Sequence, residues 1–302
     1  MSTSYHVAVI GLGAMGMGAA RSCLRAGLTT YGIDLSEQAR SQLQQAGAAA
    51  VMADARPLAE TLDAVLLLVV NATQVRRILL GEEGLARHLK PGTAIMVSST
   101  IAAEEANALA AELAQLGLPM LDAPVSGGAI KADAGEMTVM AAGSDAAFDK
   151  LAPVLDAVSG KLYRVGSEPG QGSTVKIIHQ LLAGVHIAVA AEAMALASRA
   201  GVSLDLMYDV VTHAAGNSWM FENRMPRVLT GDYQARSAVD IFVKDLTLVA
   251  DTAKALRFPL PLASTALNMF LGASNAGHGQ EDDSAVIKIF SGIQLPGQED
   301  QA

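Results

Sequence analysis

The sequence predicts an α/β protein with an N-terminal Rossmann doubly wound sheet, an all-α C-terminal domain and a long interdomain helix. Three observations support this prediction. Short apolar runs alternate with helical segments in the first half, a glycine-rich turn at residues 11–16 follows the first run, and only helical patterns follow residue 166. Alternating strands and helices are typical of a parallel sheet that helices cover on both faces.

The strands of the first half are predicted from short runs of apolar residues. The run at 65–70 is apolar at every position, which is typical of a strand buried on both faces in the middle of a parallel sheet. The predicted strands are 6–10, 29–33, 64–69, 94–98, 119–122, 137–142 and 162–165, with helices at 14–26, 36–46, 101–116 and 145–158.

The second half begins with a loop, because residues 166–172 are rich in Gly and Pro. Ser173 is the predicted N-cap of a connector helix at about 173–200, and Gly201 is its predicted stop. We therefore predict a NAD-binding domain at 1–165 and a helical substrate and oligomerisation domain at 166–302. Further helices are predicted at 203–215, 238–256, 261–273 and 282–291, and a frayed tail is expected at 296–302.

Composition excludes several classes of function. The 302 residues are 51% hydrophobic, which suffices for two domain cores. A net charge of −9 without a basic stripe argues against nucleic-acid binding. The six histidines lack the helical pairing with carboxylates that is typical of zinc sites, so no metal is expected.

We also expect a cytoplasmic protein without a membrane segment. The single cysteine, Cys23, cannot form an intrachain disulfide, and the N-terminus shows no secretory signal pattern. The longest apolar stretch, residues 181–197, contains His186 and Glu192, so it is interpreted as a buried helix of a soluble protein. Because this helix is rich in Ala and Leu, it is expected to bury surface in a homodimer or homotetramer.

The turn Gly11-Leu12-Gly13-Ala14-Met15-Gly16 follows the first predicted strand and opens a helix. The first glycine allows the tight turn, the second lets the backbone approach a pyrophosphate, and the third lets the helix pack against the strand. N–H groups at the start of the helix, with its partial positive charge, suit the phosphates. The turn therefore predicts a dinucleotide site made by all six residues.

Asp34 is predicted to select the cofactor. It lies 18 residues after Gly16, where a carboxylate can accept hydrogen bonds from both ribose hydroxyls and repel a 2′-phosphate. The next residues, Leu35 and Ser36, supply no arginine for that phosphate. The sequence therefore predicts NAD rather than NADP.

Two segments are candidates for the substrate site. Ser126, Gly127 and Gly128 follow a predicted strand, and they could form either a nest of N–H groups for a carboxylate or a plain turn. Lys176 falls in the predicted first turn of the connector helix among apolar neighbours, on the same face as Gln180. A solvated lysine is the alternative interpretation.

Taken together, these motifs resemble the β-hydroxyacid dehydrogenase family, which includes 3-hydroxyisobutyrate dehydrogenases and tartronate semialdehyde reductases. The resemblance covers nearly the whole chain. It rests on the segments at 11–16, 99–100, 122–128, 242–246 and 283–285 and on Lys176.

The resemblance implies that a small hydroxy acid transfers a hydride to NAD in a cleft between the domains. Lys176 is expected to be the general acid and base that moves the proton of the acid's hydroxyl group. The resemblance also implies that Ser126, Gly127, Gly128 and Gln180 hold the substrate. Val70, Asn71, Thr100 and Lys244 are expected to contact the NAD. From the residues alone, Thr100 could instead be a helix N-cap, and Lys244 could belong to a surface charge pair.

One departure from the family pattern narrows the expected substrate. Many members have two asparagines where this chain has His179-Gln180. Together with the segment at 219–224, this departure is most similar to a subgroup that oxidises a four-carbon sugar acid at C2. The alternatives are a tartronate semialdehyde reductase or 3-hydroxyisobutyrate-type dehydrogenase, and, from another class, a non-catalytic NAD sensor.

Overall fold

The computed structural model describes residues 4–296, and the chain divides into two compact units between Lys176 and Ile177. The first unit contains a nine-stranded sheet in the order β3-β2-β1-β4-β5-β6-β8-β7, with β9 paired to β8. The strands are β1 (His6–Ile10), β2 (Thr29–Ile33), β3 (Ala50–Met52), β4 (Ala64–Leu67), β5 (Ala94–Val97), β6 (Met120–Asp122), β7 (Val125–Ser126), β8 (Met137–Ala142) and β9 (Ser159–Gly166).

The predicted parallel sheet is present from β3 to β6, where every neighbouring pair runs parallel. β4 and β5 are buried at every position, which explains their unbroken apolar sequences. β8 runs antiparallel to both β6 and β7. That reversal, and the short strands β3 and β7, are absent from the predicted pattern.

Helices cover the sheet of the first unit, and two apolar clusters contain the side chains of its strands. The helices are α1 (Ala14–Arg25), α2 (Glu37–Gln45), α3 (Ala72–Leu80), α4 (Ala103–Gln115), α5 (Gly128–Ala134) and α6 (Asp145–Val158), with 3-10 turns at Arg56–Thr61 and Leu85–Arg87. α3 and α5 are additions to the predicted helices. Cys23 is buried within the first cluster, and burial raises the pKa of its thiol to about 12.

The second unit is helical and has its own apolar cluster. The long helix α7 (Gln171–Arg199) begins in the first unit, and α8 (Leu204–Thr212), α9 (Trp219–Thr230), α10 (Val239–Ala255), α11 (Pro261–Ala273), a π-helical turn (Ser274–His278) and a 3-10 helix (Asp283–Ile289) follow. Residues 297–302 of the predicted tail lie outside the described residues.

Two predictions about α7 need correction. The helix starts at Gln171, so Ser173 belongs to its first turn and is not its N-cap. Lys176 is accordingly the sixth residue of the helix and lies in its second turn. α7 is long and apolar enough to cross a membrane by length and composition alone, yet half of its most apolar window is buried inside the protein, as in a core helix.

Buried ion pairs join α9 to the last 3-10 helix. Arg224 donates two hydrogen bonds of 2.6 and 2.9 Å to Asp283, and Arg227 pairs with Asp282. Burial alone would raise the pKa of Asp282, but hydrogen bonds from Arg227 and Ser284 hold it below its ordinary value. The segment at 219–224 therefore contributes to the packing of the second unit.

Candidate active site

The glycine turn after β1 is shaped by close backbone contacts. A Cβ on Gly16 would lie 1.7 Å from the carbonyl oxygen of Gly11, so the third glycine is required by the turn itself. Gly11 has a φ of +90°, and its N–H donates to the carbonyl of Ile33. Gly13, the N-cap of α1, has nothing within 4 Å of an added Cβ. The turn thus leaves room at the start of α1, as a bound pyrophosphate requires.

Asp34 follows β2 and contacts this turn directly. Its Oδ2 accepts a 2.7 Å hydrogen bond from the N–H of Leu12, and its Oδ1 accepts one of 2.8 Å from the N–H of Ser36. Each carboxylate oxygen has further lone pairs that can accept ribose hydroxyls. Asp34 therefore joins the turn after β1 to the end of β2.

Arg40 is a neighbour of Asp34 that sequence reasoning missed. Its Nη1 donates hydrogen bonds of 2.6 and 2.9 Å to the backbone carbonyls of Asp34 and Leu35. Neither of the two residues after Asp34 is an arginine, but the first turn of α2 brings Arg40 back to the end of β2. These contacts fix the backbone of the loop that follows β2.

The candidate cofactor residues Val70, Asn71 and Thr100 follow β4 and β5. The side chain of Asn71 accepts a hydrogen bond from the N–H of Gln74 and so caps α3. The N-cap of α4 is Ala102, which removes the interpretation of Thr100 as that cap. Carboxyl ends of neighbouring parallel strands meet at one edge of a sheet, so these residues share an edge with the glycine turn.

The segment Ser126-Gly127-Gly128 joins β7 to α5 at the same sheet. Gly127 and Gly128 have φ values of +136° and +72°, a conformation that favours glycine at both positions. An added Cβ on Gly127 would meet the side chain of Lys131 at 2.8 Å, whereas one on Gly128 would meet nothing within 4 Å. The backbone at Gly128 is therefore open to a ligand.

Asp122, the last residue of β6, is fully buried and contacts the start of α7. Its Oδ2 accepts hydrogen bonds of 2.8 Å from the N–H groups of Gly170 and Ser173, and its Oδ1 accepts one of 2.7 Å from the hydroxyl of Ser173. Burial raises the pKa of Asp122, although the bonds from Ser173 and Gly170 oppose the rise. Lys176, three residues beyond Ser173 on the same helix, is 6% exposed. Its burial is contrary to a solvated lysine.

In the second unit, Gln180 and Lys244 both contact the buried carboxylate of Asp245. The amide nitrogen of Gln180 donates a 2.5 Å hydrogen bond to Oδ2, and Lys244 Nζ lies 2.8 Å from Oδ1. The amide oxygen of Gln180 lies 3.0 Å from Nδ1 of His179. The side chain of Asp245 is 2% exposed, so the interpretation of Lys244-Asp245 as a surface pair is wrong.

Asp122 and Asp245 are buried carboxylates of the site that sequence reasoning missed. Both carboxylates lie in largely apolar segments, Asp122 at a strand end and Asp245 between Lys244 and Leu246. A buried carboxylate needs donors, so each position was a signal for a polar network. Among residues 4–296, no group of three or more His, Cys, Asp or Glu side chains could hold a metal ion.

Two family models match the chain, one in each half. Residues 6–166 match the family described as the NAD-binding domain of 6-phosphogluconate dehydrogenase. Residues 170–290 match the family described as the NAD-binding region of NADP-dependent 3-hydroxyisobutyrate dehydrogenase. The two matches together cover most of the described chain.

Individual relatives are similar over nearly their whole length. The chain is 72% identical over 295 residues to an L-threonate dehydrogenase of Escherichia coli, covering 98% of each. A solved structure described as 3-hydroxyisobutyrate dehydrogenase from Salmonella typhimurium is 69% identical, with a TM-score of 0.92 over 95% of this chain and 100% of that one. A Mycobacterium tuberculosis 3-hydroxyisobutyrate dehydrogenase with L-serine is 28% identical, with a TM-score of 0.79 over 95% and 99%.

The relatives are described as dehydrogenases, so the alternative interpretation of this chain as a non-catalytic NAD sensor is wrong. The chain belongs to the β-hydroxyacid dehydrogenase family, a family of nicotinamide-dependent oxidoreductases.

Proposed function

We propose that this enzyme oxidises L-threonate at C2 to the 2-oxo acid with NAD, using Lys176 as general acid and base. The observation that supports the substrate is the 72% identity, along 98% of both chains, to an L-threonate dehydrogenase. The observation that supports the chemistry is the buried Lys176 on α7, a helix whose first turn is hydrogen-bonded to Asp122 at the carboxyl end of β6.

The residues of the turn fit a dinucleotide. The space beside Gly13 suits a pyrophosphate, and the two carboxylate oxygens of Asp34 suit the ribose hydroxyls of NAD. Val70, Asn71, Thr100 and Lys244 would line the rest of the cofactor site. When bound, the nicotinamide supplies the hydride acceptor for the C2–H of the substrate.

Side chains and backbone groups of the chain would bind the substrate carboxylate and transfer the proton of its hydroxyl group. Ser126 and the N–H groups of Gly127 and Gly128 would hold the substrate carboxylate. The φ values of both glycines are positive, a turn conformation in which successive N–H groups can form a nest, and the space beside Gly128 is open. Lys176 would take the proton of the C2 hydroxyl during oxidation and return it during reduction. The neutral amine is the form that accepts the proton in oxidation, and the ammonium is the form that returns it in reduction.

Gln180 would orient the hydroxy acid beside the amine. Lys176 and Gln180 are four residues apart on α7 and therefore share a face of that helix. The amide of Gln180 is held by Asp245, so it presents a fixed oxygen rather than a rotating side chain.

A 3-hydroxy acid is the second candidate substrate, because a structure 69% identical to this chain is described as a 3-hydroxyisobutyrate dehydrogenase. The test is the rate of NADH formation with L-threonate, its stereoisomers, 3-hydroxyisobutyrate and L-serine, together with the rate of NADH consumption with tartronate semialdehyde. We expect the highest kcat/KM with L-threonate. A higher kcat/KM with 3-hydroxyisobutyrate or tartronate semialdehyde would overturn the substrate assignment.

We further propose a cytoplasmic homodimer or homotetramer that uses α7. Along this helix Ile178, Leu182, Val189 and Leu196 are all more than half exposed, and their spacing of four and seven residues places them on one face. Light scattering should give a multiple of the 31.1 kDa chain mass, and Leu182→Glu should reduce it. A monomeric wild-type protein would contradict the proposal.

A further inference from the structure

The end of strand β6 contains a carboxylate for which the proposed chemistry has no use. Asp122 is fully buried, and its carboxylate accepts hydrogen bonds from Gly170 and Ser173 at the start of α7. Asp122 begins the segment that contains Ser126, yet its carboxylate bonds to the helix that contains Lys176. The strand end and the helix start are therefore joined through one side chain.

The start of α7 is pressed against the sheet at this point. An added Cβ on Gly172 would lie 2.4 Å from the carbonyl oxygen of Asp122 and 2.7 Å from that of Met140. Gly170 has a φ of +88°, and an added Cβ there would lie 2.8 Å from the side chain of Asn107. The two glycines allow the start of α7 to approach closely. The three hydrogen bonds to Asp122 fix its position along the helix axis.

The position of the helix start determines the position of the lysine. Ser173 and Lys176 are three residues apart on α7, so a shift or rotation of the first turn moves the Cα of Lys176 with it. Proton transfer requires the amine within hydrogen-bonding distance of the hydroxyl, and a misplacement of about 1 Å can cost about 100-fold in rate.

We infer that Asp122 is a positioning residue of the reaction: by accepting hydrogen bonds from the N–H groups of Gly170 and Ser173 and from the hydroxyl of Ser173, it fixes the first turn of α7 and thereby the position of Lys176 in the next turn. This inference rests on the proposed function of Lys176. A carboxylate at a helix N-terminus also interacts favourably with the helix dipole, which strengthens the attachment.

Three variants separate positioning from a general structural role. Asp122→Ala removes all three bonds, and Ser173→Ala removes one. Asp122→Asn keeps an acceptor for the two N–H groups, and its NH₂ can donate to the Ser173 hydroxyl. Asp63→Asn is the matched control, because Asp63 accepts the N–H of His6 at the opposite, amino edge of the sheet.

The measurement is steady-state kinetics per NAD-binding site, with L-threonate carrying hydrogen or deuterium at C2. For Asp122→Ala we expect kcat about 100-fold lower, an unchanged KM for NAD and a larger deuterium isotope effect on kcat. Asp122→Asn should recover most of kcat, and Ser173→Ala should lie between. If Asp122→Ala lowers thermal stability but keeps the wild-type kcat and isotope effect, Asp122 is only structural and the inference is wrong.

A second measurement does not depend on the substrate. Trace acetic anhydride with peptide mass spectrometry gives the acetylation rate of Lys176 relative to the other lysines. We expect this relative rate to change in Asp122→Ala and to stay at the wild-type value in Asp122→Asn and Asp63→Asn. An unchanged rate in Asp122→Ala contradicts the inference even if the wild-type protein oxidises no hydroxy acid. Retained turnover in Lys176→Ala would instead contradict the proposed function.

Discussion

The side-chain amide of Gln180 donates a 2.5 Å hydrogen bond to Oδ2 of Asp245, and both side chains are buried. The bond joins α7 to α10 within the second unit. It also fixes which end of the amide faces away from Asp245, because only the nitrogen can donate. The length of the glutamine side chain is thereby adapted to a buried carboxylate.

Gln180→Asn tests whether this amide sets the substrate. Asparagine is one methylene shorter, so its amide is withdrawn and the bond to Asp245 is weakened. We expect kcat/KM for L-threonate to fall at least about tenfold, or about 1.4 kcal/mol of transition-state binding, with little change in KM for NAD. Gln234→Asn, the same shortening at an exposed position, is the control. An unchanged substrate profile in Gln180→Asn would show that Gln180 does not shape the pocket.

The glycines of the nucleotide turn are expected to respond differently to an added methyl group. In Gly13→Ala the new Cβ enters open space, so stability should be retained while the Kd for NAD rises at least about tenfold. In Gly16→Ala the Cβ would meet the Gly11 carbonyl at 1.7 Å, so the free energy of unfolding should fall as well, by about 1–3 kcal/mol or more. Urea unfolding and calorimetric NAD titration measure both. Wild-type NAD affinity in Gly13→Ala would place the pyrophosphate elsewhere.

Cofactor choice is tested by Asp34→Asn. The amide keeps an acceptor toward Leu12 or Ser36 but removes the charge that repels a 2′-phosphate. The ratio of kcat/KM with NADP to that with NAD should rise at least about tenfold, equivalent to about 1.4 kcal/mol. Glu37→Gln, a charge removed from an exposed site three residues away, should leave the ratio unchanged. A wild-type enzyme that already prefers NADP would refute this role of Asp34.

The buried pair of Arg224 and Asp283 is expected to matter for stability rather than for catalysis. Arg224→Met leaves the fully buried Asp283 without its guanidinium partner, so the free energy of unfolding should drop by about 3–5 kcal/mol. Replacing both residues with apolar ones should recover much of the loss. Arg21→Met, which breaks an exposed pair with Asp133, should cost no more than about 1 kcal/mol. Equal losses for the two arginines in urea unfolding would disprove this account.

Much of the first unit could be predicted because its signals are local. The runs at 6–10, 29–33 and 137–142 are strands with the predicted bounds, since a buried strand needs only a short apolar sequence. Helix α3 is absent from the predicted pattern because its cap, Asn71, directly follows the apolar run at 65–70, most of which is predicted as a strand. The antiparallel direction of β8 depends on long-range pairing with β6 and β7, which periodicity does not encode.

For the candidate site, the sequence indicates residue types but not their partners. Lys176 and Gln180 stand out by their spacing on one helix, and Asp34 by its distance from Gly16. The role of Asp122 depends on a bond to Ser173, which is 51 residues away, and that of Asp245 on a bond to Gln180 at a separation of 65. Such contacts exist only after the chain has folded.

Lys176→Ala provides the most direct test of the central claim, that a buried amine on α7 moves the proton of the substrate hydroxyl. The variant should be compared with wild type by kcat with L-threonate and by the Kd for NAD. We predict a loss of kcat of at least about 100-fold, the lower end of the contribution from general acid–base catalysis, with NAD affinity nearly unchanged. A near-normal kcat in Lys176→Ala would contradict the account.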